Sequence, residues 1–156
     1  LFLQGLETLS LRMQRHVENA RAVAAFLESH ELAANVTYPD LAGSRYRPLV
    51  AKYLPRGAGA VFSFDCAGGR AGGQDLIRGV TLWSHLANVG DAKSLIIHPA
   101  STTHRQLSDD ELRAAGVAPG TVRLSVGTES VEDLIWDLEQ GFANVAASRA
   151  AEVATA

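Results

Sequence analysis

A chain of 156 residues, 47% hydrophobic and 20% charged, has the composition of one globular domain, long enough to bury a core without disulfides. Its net charge of −3, with no basic run and no ladder of aromatics, leaves no footprint for nucleic acid or an anionic membrane surface. Cys66 is the one cysteine, which excludes an intrachain disulfide and points to a reducing compartment, so a cytoplasmic location is expected.

The chain opens on Leu1, inside an apolar pattern already under way, and reads as part of a longer protein. No apolar run approaches the roughly 20 residues that cross a bilayer, and no basic-then-apolar signal precedes the first element. Leu6, Leu9, Met13, Val17, Ala20, Ala24 and Leu27 recur at steps of three and four, which predicts one amphipathic helix over about residues 7–29. Arg12, Gln14, Arg15, Glu18, Asn19 and Arg21 fall on its other face and are expected to be solvated. His16 and His30 lie too far apart to share a metal and are expected at the surface or the helix end.

Val36, Thr37 and Tyr38 predict a brief edge strand, stopped by Pro39. Residues 41–54 read as a loop followed by a short helix near 48–53. The turn Arg56-Gly57-Ala58-Gly59 leads into a strand at 60–65. Cys66, at its end, is expected as a small buried filler, because nothing adjacent would lower its pKa or act as its base. Gly68-Gly69-Arg70-Ala71-Gly72-Gly73 lacks the Lys-Ser/Thr of a nucleotide loop and the spacing of a dinucleotide fingerprint, so a flexible turn is expected. A short helix over 74–78 and a strand over 80–83 follow.

Ser94-Leu95-Ile96-Ile97 predicts a buried strand. Ser108 and Glu111 have the capping-box spacing, which opens a helix closing near Gly116. Ser130 and Asp133 repeat the device ahead of a helical stripe of Val131, Leu134, Leu138, Phe142 and Val145; the alanine-rich tail after Ser148 is expected to fray. These elements together predict an α+β fold, a mainly antiparallel sheet with helices packed on one face.

The strand over 122–126 has the clearest physics. Alternation turns Val122, Leu124 and Val126 to one side and Arg123 and Ser125 to the other. A lone arginine on a rigid strand suits a carboxylate, because its planar guanidinium donates two parallel hydrogen bonds. The alternative is an arginine on a solvated face, paired with Glu129, and spacing alone favours it because exposed arginines greatly outnumber ligand clamps.

Several motifs then occur in one order: Gln4-Gly5-Leu6-Glu7-Thr8-Leu9, Lys52-Tyr53-Leu54-Pro55, Gly57-Ala58-Gly59-Ala60-Val61-Phe62-Ser63-Phe64, His85-Leu86-Ala87-Asn88-Val89-Gly90-Asp91-Ala92-Lys93-Ser94, the run from His98 to His104, and Val122 to Glu129. With them the chain resembles the Cys/Met-metabolism family of pyridoxal-phosphate enzymes, and within it the O-acetylhomoserine sulfhydrylase branch. The resemblance covers nearly the whole chain. Asp40, where the family commonly has glycine, is a departure confined to a turn.

The resemblance implies the C-terminal small domain of a fold-type I enzyme, with residues 1–30 as the interdomain helix and 31–156 as the substrate-capping domain. It implies that Arg123 binds the substrate's α-carboxylate and that Asn88 helps orient it, a weaker inference with a turn-forming asparagine as its alternative. His98 and His104 are expected to pack and hydrogen-bond within their loop, with Thr102 and Thr103 beside the site, and no metal ligand is expected. Pyridoxal phosphate needs a lysine, an acidic partner for its ring nitrogen and a phosphate cradle. The lysines here, Lys52 and Lys93, do not stand in the family's cofactor context, so the cofactor is expected in an upstream catalytic domain and none bound covalently to this chain.

The implied activity of the parent enzyme is conversion of O-acetyl-L-homoserine and sulfide to L-homocysteine, with this domain inactive alone. A homo-oligomer is implied too. Cystathionine γ-synthase or a γ-lyase of the same family is the alternative, and a non-catalytic interaction module is the alternative from another class.

Overall fold

Two stretches of the sequence alternate cleanly, and they become neighbours at the centre of the sheet. The computed structural model describes residues 1–155. In it β2 (Val61–Cys66) buries Phe62, Phe64 and Cys66, and β5 (Thr121–Ser125) buries Val122 and Leu124 on the same side. The two strands pair antiparallel, with Phe62 opposite Leu124 and Ser63 opposite Arg123.

Around them stand β1 (Ala33–Ala34), β4 (Leu95–Ile97) and β3 (Ser84–His85), in the order β1-β2-β5-β4-β3. All pairs are antiparallel except β3 with β4. The expected mainly antiparallel α+β sheet is therefore present, with β5 in its middle.

Helices cover one face. α2 (Leu9–Ser29), α4 (Gly69–Gly79) and α6 (Val131–Thr155) give Ala20, Val23, Ala24, Leu27, Leu76, Leu134, Leu138, Phe142 and Val145 to a core that also holds Phe64, Ile96 and Leu124. Each fully buried leucine or phenylalanine contributes about 2 kcal/mol of transfer free energy. Cys66 is buried in this core as expected, and burial pushes its thiol up to about 12. α3 (Arg47–Tyr53) and α5 (Asp109–Ala114) are short, and α5 opens on the complete capping box of Ser108 and Glu111.

Several sequence expectations are corrected. The helix expected over about residues 7–29 is present as α2, with a separate short helix α1 (Phe2–Glu7) before it, but only the second half of its apolar stripe is covered: Val17 to Leu27 are buried, whereas Leu6, Leu9 and Met13 are exposed. Asn19 and His16 are buried instead of solvated, because each satisfies backbone carbonyls beyond the end of β5. Residues 36–38 are not a strand. Thr37 caps Ser63 by donating its N–H and hydroxyl to the Ser63 carbonyl, while Tyr38 turns inward, 1% exposed, and donates to the Gly59 carbonyl.

The glycine run is helical. Gly68 enters α4 in the left-handed region, and a Cβ on Gly72 or Gly73 would collide with the Ala67 carbonyl or the His98 ring. Close packing, not flexibility, explains those glycines.

The strand expected over 80–83 is displaced to residues 84–85, because the buried Asp137 carboxylate takes the N–H groups of Thr81, Leu82 and Trp83. At the start of α6 only half of the expected box forms. Ser130 Oγ accepts the Asp133 N–H at 3.4 Å and donates its hydroxyl to Glu132, but the Asp133 carboxylate does not reach back to the Ser130 N–H. The helix runs to Thr155, past the expected fraying at Ser148, as its high alanine content favours; residue 156 lies outside the described residues.

Candidate functional site

Arg123 stands on the central strand, on the face opposite the helices. Ser63 and Ile97 flank it on β2 and β4. The backbone beneath is fixed on both edges by ladder hydrogen bonds, so the stem of the side chain starts from a rigid platform. Arg21, Arg70, Arg78 and Arg113 each hold a carboxylate; Arg123 holds none among the described residues. Among the described residues its side chain makes one hydrogen bond, from Nη2 to the Asn88 backbone carbonyl at 3.2 Å. The pairing with Glu129 that the sequence left open does not occur.

Asn88 lies in the exposed segment between β3 and β4, and Gly90 turns that segment at φ 77°. The Asn88 side chain is folded into its own turn, where Oδ1 accepts the Val89 N–H at 2.8 Å. The structure thus brings Asn88 and Arg123 together, but through the asparagine's main chain.

A cleft of about 240 Å³ opens beside them, walled by Met13, His16, Ala60, Val61, Val89 and Ser125 among others. Ser125 shares the open face with Arg123, two residues along β5, so cleft and guanidinium are neighbours. Most of its wall is apolar, given by Met13 of α2, by the loop residues Ala58 and Ala60 that lead into Val61, and by Val89 and Val126.

Beyond β5 the chain is held by a dense polar staple. Glu129 accepts the Ser94 N–H at 2.7 Å on one oxygen and the Ser94 hydroxyl at 2.8 Å on the other. The Ser94 hydroxyl oxygen in turn accepts the Gly127 N–H at 2.7 Å. Thr128 donates both its N–H and its hydroxyl to the Ala92 carbonyl. Asn19 donates to the carbonyls of Gly127 and Glu129 at 3.0 and 2.9 Å, and His16 Nδ1 meets the Val126 carbonyl at 2.6 Å. Gly127 admits no side chain, since a Cβ would strike Glu129 and the Ala92 carbonyl. These residues were missed from sequence. The signal available was His16 and Asn19 three residues apart, on the edge of the apolar stripe.

His98 is buried between Ser101 Oγ at 2.9 Å and the Pro119 carbonyl at 2.7 Å, and burial lowers its pKa. His104 meets the Thr103 hydroxyl. Both therefore pack and hydrogen-bond locally. Arg70 ties this loop down through Asp109 and the carbonyls of Ala100 and Leu107. Among the described residues no group of three or more His, Cys, Asp or Glu is placed to hold a metal ion, and no helix is long and apolar enough to cross a membrane.

The chain's own residues do not fit a pyridoxal-phosphate site. Lys52 is exposed, with its ammonium 4.8 Å from the Tyr53 ring centre, and Lys93 is exposed in the turn after Asp91. A lysine that carries a cofactor is usually desolvated so that its amine loses the proton readily, and neither side chain is buried.

Residues 1–143 match the family described as Cys/Met metabolism PLP-dependent enzyme. The O-acetyl-L-homoserine sulfhydrylase of Leptospira meyeri is 50% identical over 144 residues, which are 92% of this chain and 33% of that protein. The homocysteine synthase of Schizosaccharomyces pombe is 50% identical over 140 residues, 90% of this chain and 33% of its own. The chain thus spans about a third of the length of these relatives.

Among solved structures, a putative O-acetylhomoserine (thiol)-lyase from Campylobacter jejuni, containing N′-pyridoxyl-lysine-5′-monophosphate, superposes with a TM-score of 0.80 at 46% identity. It covers 89% of this chain and 33% of that one. A cystathionine γ-synthase from Xanthomonas oryzae, in complex with aminoacrylate and cysteine, gives 0.81 at 38% identity, over 93% of this chain and 37% of that one.

Proposed function

Because the chain belongs to the Cys/Met-metabolism family of pyridoxal-phosphate-dependent enzymes, we propose that it is the substrate-capping C-terminal domain of an O-acetylhomoserine sulfhydrylase. Residues 1–30 serve as the interdomain helix and 31–156 as the cap. The reaction replaces the γ-acetoxy group of O-acetyl-L-homoserine with sulfide and yields acetate and L-homocysteine. The cofactor's electron-withdrawing ring, carried by a separate catalytic domain, supplies the carbanion chemistry.

This chain's part is positioning. Arg123 holds the α-carboxylate in a two-pronged grip, and the Asn88 turn closes over the same group, so the amino acid is presented in one orientation. The observation that carries this reading is an arginine on the middle strand of the sheet, with no carboxylate partner among the described residues, touching the Asn88 turn. The exposed Leu1, Phe2, Leu3 and Leu6 are the surface the catalytic domain and neighbouring subunits of a homo-oligomer would cover.

The experiment is a chimera in which this chain replaces the matching third of the Leptospira meyeri enzyme, given O-acetyl-L-homoserine with sulfide or with L-cysteine. Homocysteine formed from sulfide is the expected result. Cystathionine formed from cysteine instead would assign the γ-synthase activity, and an assembled chimera that turns over neither would overturn the proposal. The chain alone, incubated with pyridoxal phosphate and borohydride, is expected to give no adduct confined to one lysine.

A further inference from the structure

Between the core and the Asn88 turn the structure holds a carboxylate that the carboxylate-binding role of Arg123 does not explain. The segment that carries Asn88 leaves the core at Trp83 and returns at Ser94, and its two ends are gripped by different side chains. Asp137 gathers the N–H groups of Thr81, Leu82 and Trp83 at the entry. Glu129 takes both donors of Ser94 at the exit. Between these clamps Leu86, Asn88, Val89 and Gly90 are exposed, so their order depends on how firmly the ends are tied.

The exit clamp lies on the same stretch of chain as the arginine. β5 carries Arg123, and six residues later Glu129 reaches back across to Ser94, whose hydroxyl also receives the Gly127 N–H. Thr128 adds two bonds to the Ala92 carbonyl. The far side of the turn is anchored too, by Asn19 on the carbonyls of Gly127 and Glu129. A shift of Ser94 relative to β5 would therefore carry the Asn88 carbonyl relative to the Arg123 guanidinium, which it meets at 3.2 Å.

We infer that Glu129 is a positioning residue for the carboxylate site: its two-oxygen grip on Ser94 sets the Asn88 turn against Arg123 and so sets the direction in which the guanidinium presents its free donors. The inference rests on the reading of Arg123 as a carboxylate clamp. Glu129 touches no substrate. It acts through Ser94 and the turn, because a carboxylate accepts from an N–H and an O–H at once on its two oxygens, whereas an amide has a single acceptor oxygen and leaves the Ser94 hydroxyl proton without its partner.

The test uses the chain itself, labelled for NMR, and the chimeric enzyme given O-acetyl-L-homoserine, each with Glu129→Gln, Thr128→Val and Arg123→Lys as variants. The readouts are the Arg123 Nε–Hε resonance, the amide exchange of residues 88–93 and the melting temperature of the chain, and the KM of the chimera. In Glu129→Gln the Arg123 resonance is expected to move or broaden, exchange at 88–93 to rise at least tenfold, and the KM of the chimera for O-acetyl-L-homoserine to rise at least fivefold. The melting temperature should stay near that of the unaltered chain.

Thr128→Val, which removes only one bond to Ala92 from a partly exposed position, should show the same pattern more weakly; it carries the test if Glu129→Gln does not fold. Unchanged exchange and an unchanged Arg123 resonance in both variants would overturn the positioning role, while Arg123→Lys still raising KM would leave the clamp intact. If Arg123→Lys leaves the KM of the chimera for O-acetyl-L-homoserine unmoved, the clamp reading falls, and the exchange comparison alone decides what Glu129 holds.

Discussion

The two faces of the sheet are held by different physics. On the helix side, β2 and β5 present only apolar residues, and α2, α4 and α6 close over them so tightly that Gly79 and Gly141 meet without side chains between them. On the other side, Arg123 stands among polar loops whose positions are set by hydrogen bonds spaced far apart in sequence. The dry face makes β5 stiff; the wet face decides what the stiff strand is used for. Substitutions on the first should cost stability in proportion to lost packing, and substitutions on the second should cost little stability and much ligand handling.

The largest expected effect belongs to the dry face. Phe142 is 2% exposed, stacks on His30 at 3.9 Å between ring centres, and tilts against Phe64 and Phe26. Phe142→Ala should lose about 4 kcal/mol in urea unfolding, through transfer and cavity terms together. A loss under about 1 kcal/mol would show that the helix layer collapses easily and that β5 owes its stiffness to something else.

Next comes Asp137, where the two faces meet. Its carboxylate serves three backbone N–H groups and the Thr81 hydroxyl while 1% exposed. Asp137→Ala should cost about 3 kcal/mol, because the buried Trp83 N–H and the part-buried donors of Thr81 and Leu82 lose a shared charged acceptor. Amide exchange at Thr81 to Trp83 should quicken far more than exchange in β2. Equal quickening in both would erase the distinction between a local clamp and the general core.

How much of this was legible in the sequence follows the same division. The core face was readable from Phe62, Phe64, Val122 and Leu124, because strand alternation has a fixed period and burial obeys it. The capping box of Ser108 and Glu111 was readable because its spacing is local. The side-chain clamps were not. Asp137 displacing the strand from 80–83, or Glu129 taking Ser94 instead of Arg123, joins residues 35 to 56 positions apart, and no local pattern encodes such a pairing.

The glycine run at 68–73 misled for a related reason. Glycine lowers helix propensity, yet here the contacts with Ala67 and His98 demand it and tertiary packing overrides propensity. Arg123 was picked out by strand alternation, and its role and that of the Asn88 turn were named from the resemblance in motif. Their contact through a main-chain carbonyl needed coordinates.

A smaller effect tests the dry side by pH. Burial lowers the pKa of His98, with the Pro119 carbonyl opposing and the Arg70 charge reinforcing, and burial lowers that of His30 against Glu31 and Glu139. A histidine kept neutral in the folded state binds fewer protons than in the unfolded chain, whose value is about 6.5. Stability from these groups is therefore intact above that value and declines as pH falls through it toward the lowered folded-state value. The melting temperature should fall between pH 7.5 and 5.5, and less so in a variant with His98 replaced. A flat profile over that range would place water at the His98 ring.

The smallest expected change in stability is the most informative about the wet face. Arg123 makes one long hydrogen bond to the Asn88 carbonyl and no ion pair among the described residues, so Arg123→Lys should alter the free energy of unfolding by no more than about 0.5 kcal/mol. Lysine keeps the charge and most of the aliphatic stem, but it offers a point charge where a planar fork is wanted. In the chimeric enzyme the same change should raise KM for O-acetyl-L-homoserine at least tenfold, about 1.4 kcal/mol of lost binding. A variant that loses more than about 1.5 kcal/mol of stability while its KM holds would make Arg123 a structural brace for the loop, and the contrast between the two faces would have to be drawn elsewhere in the sheet.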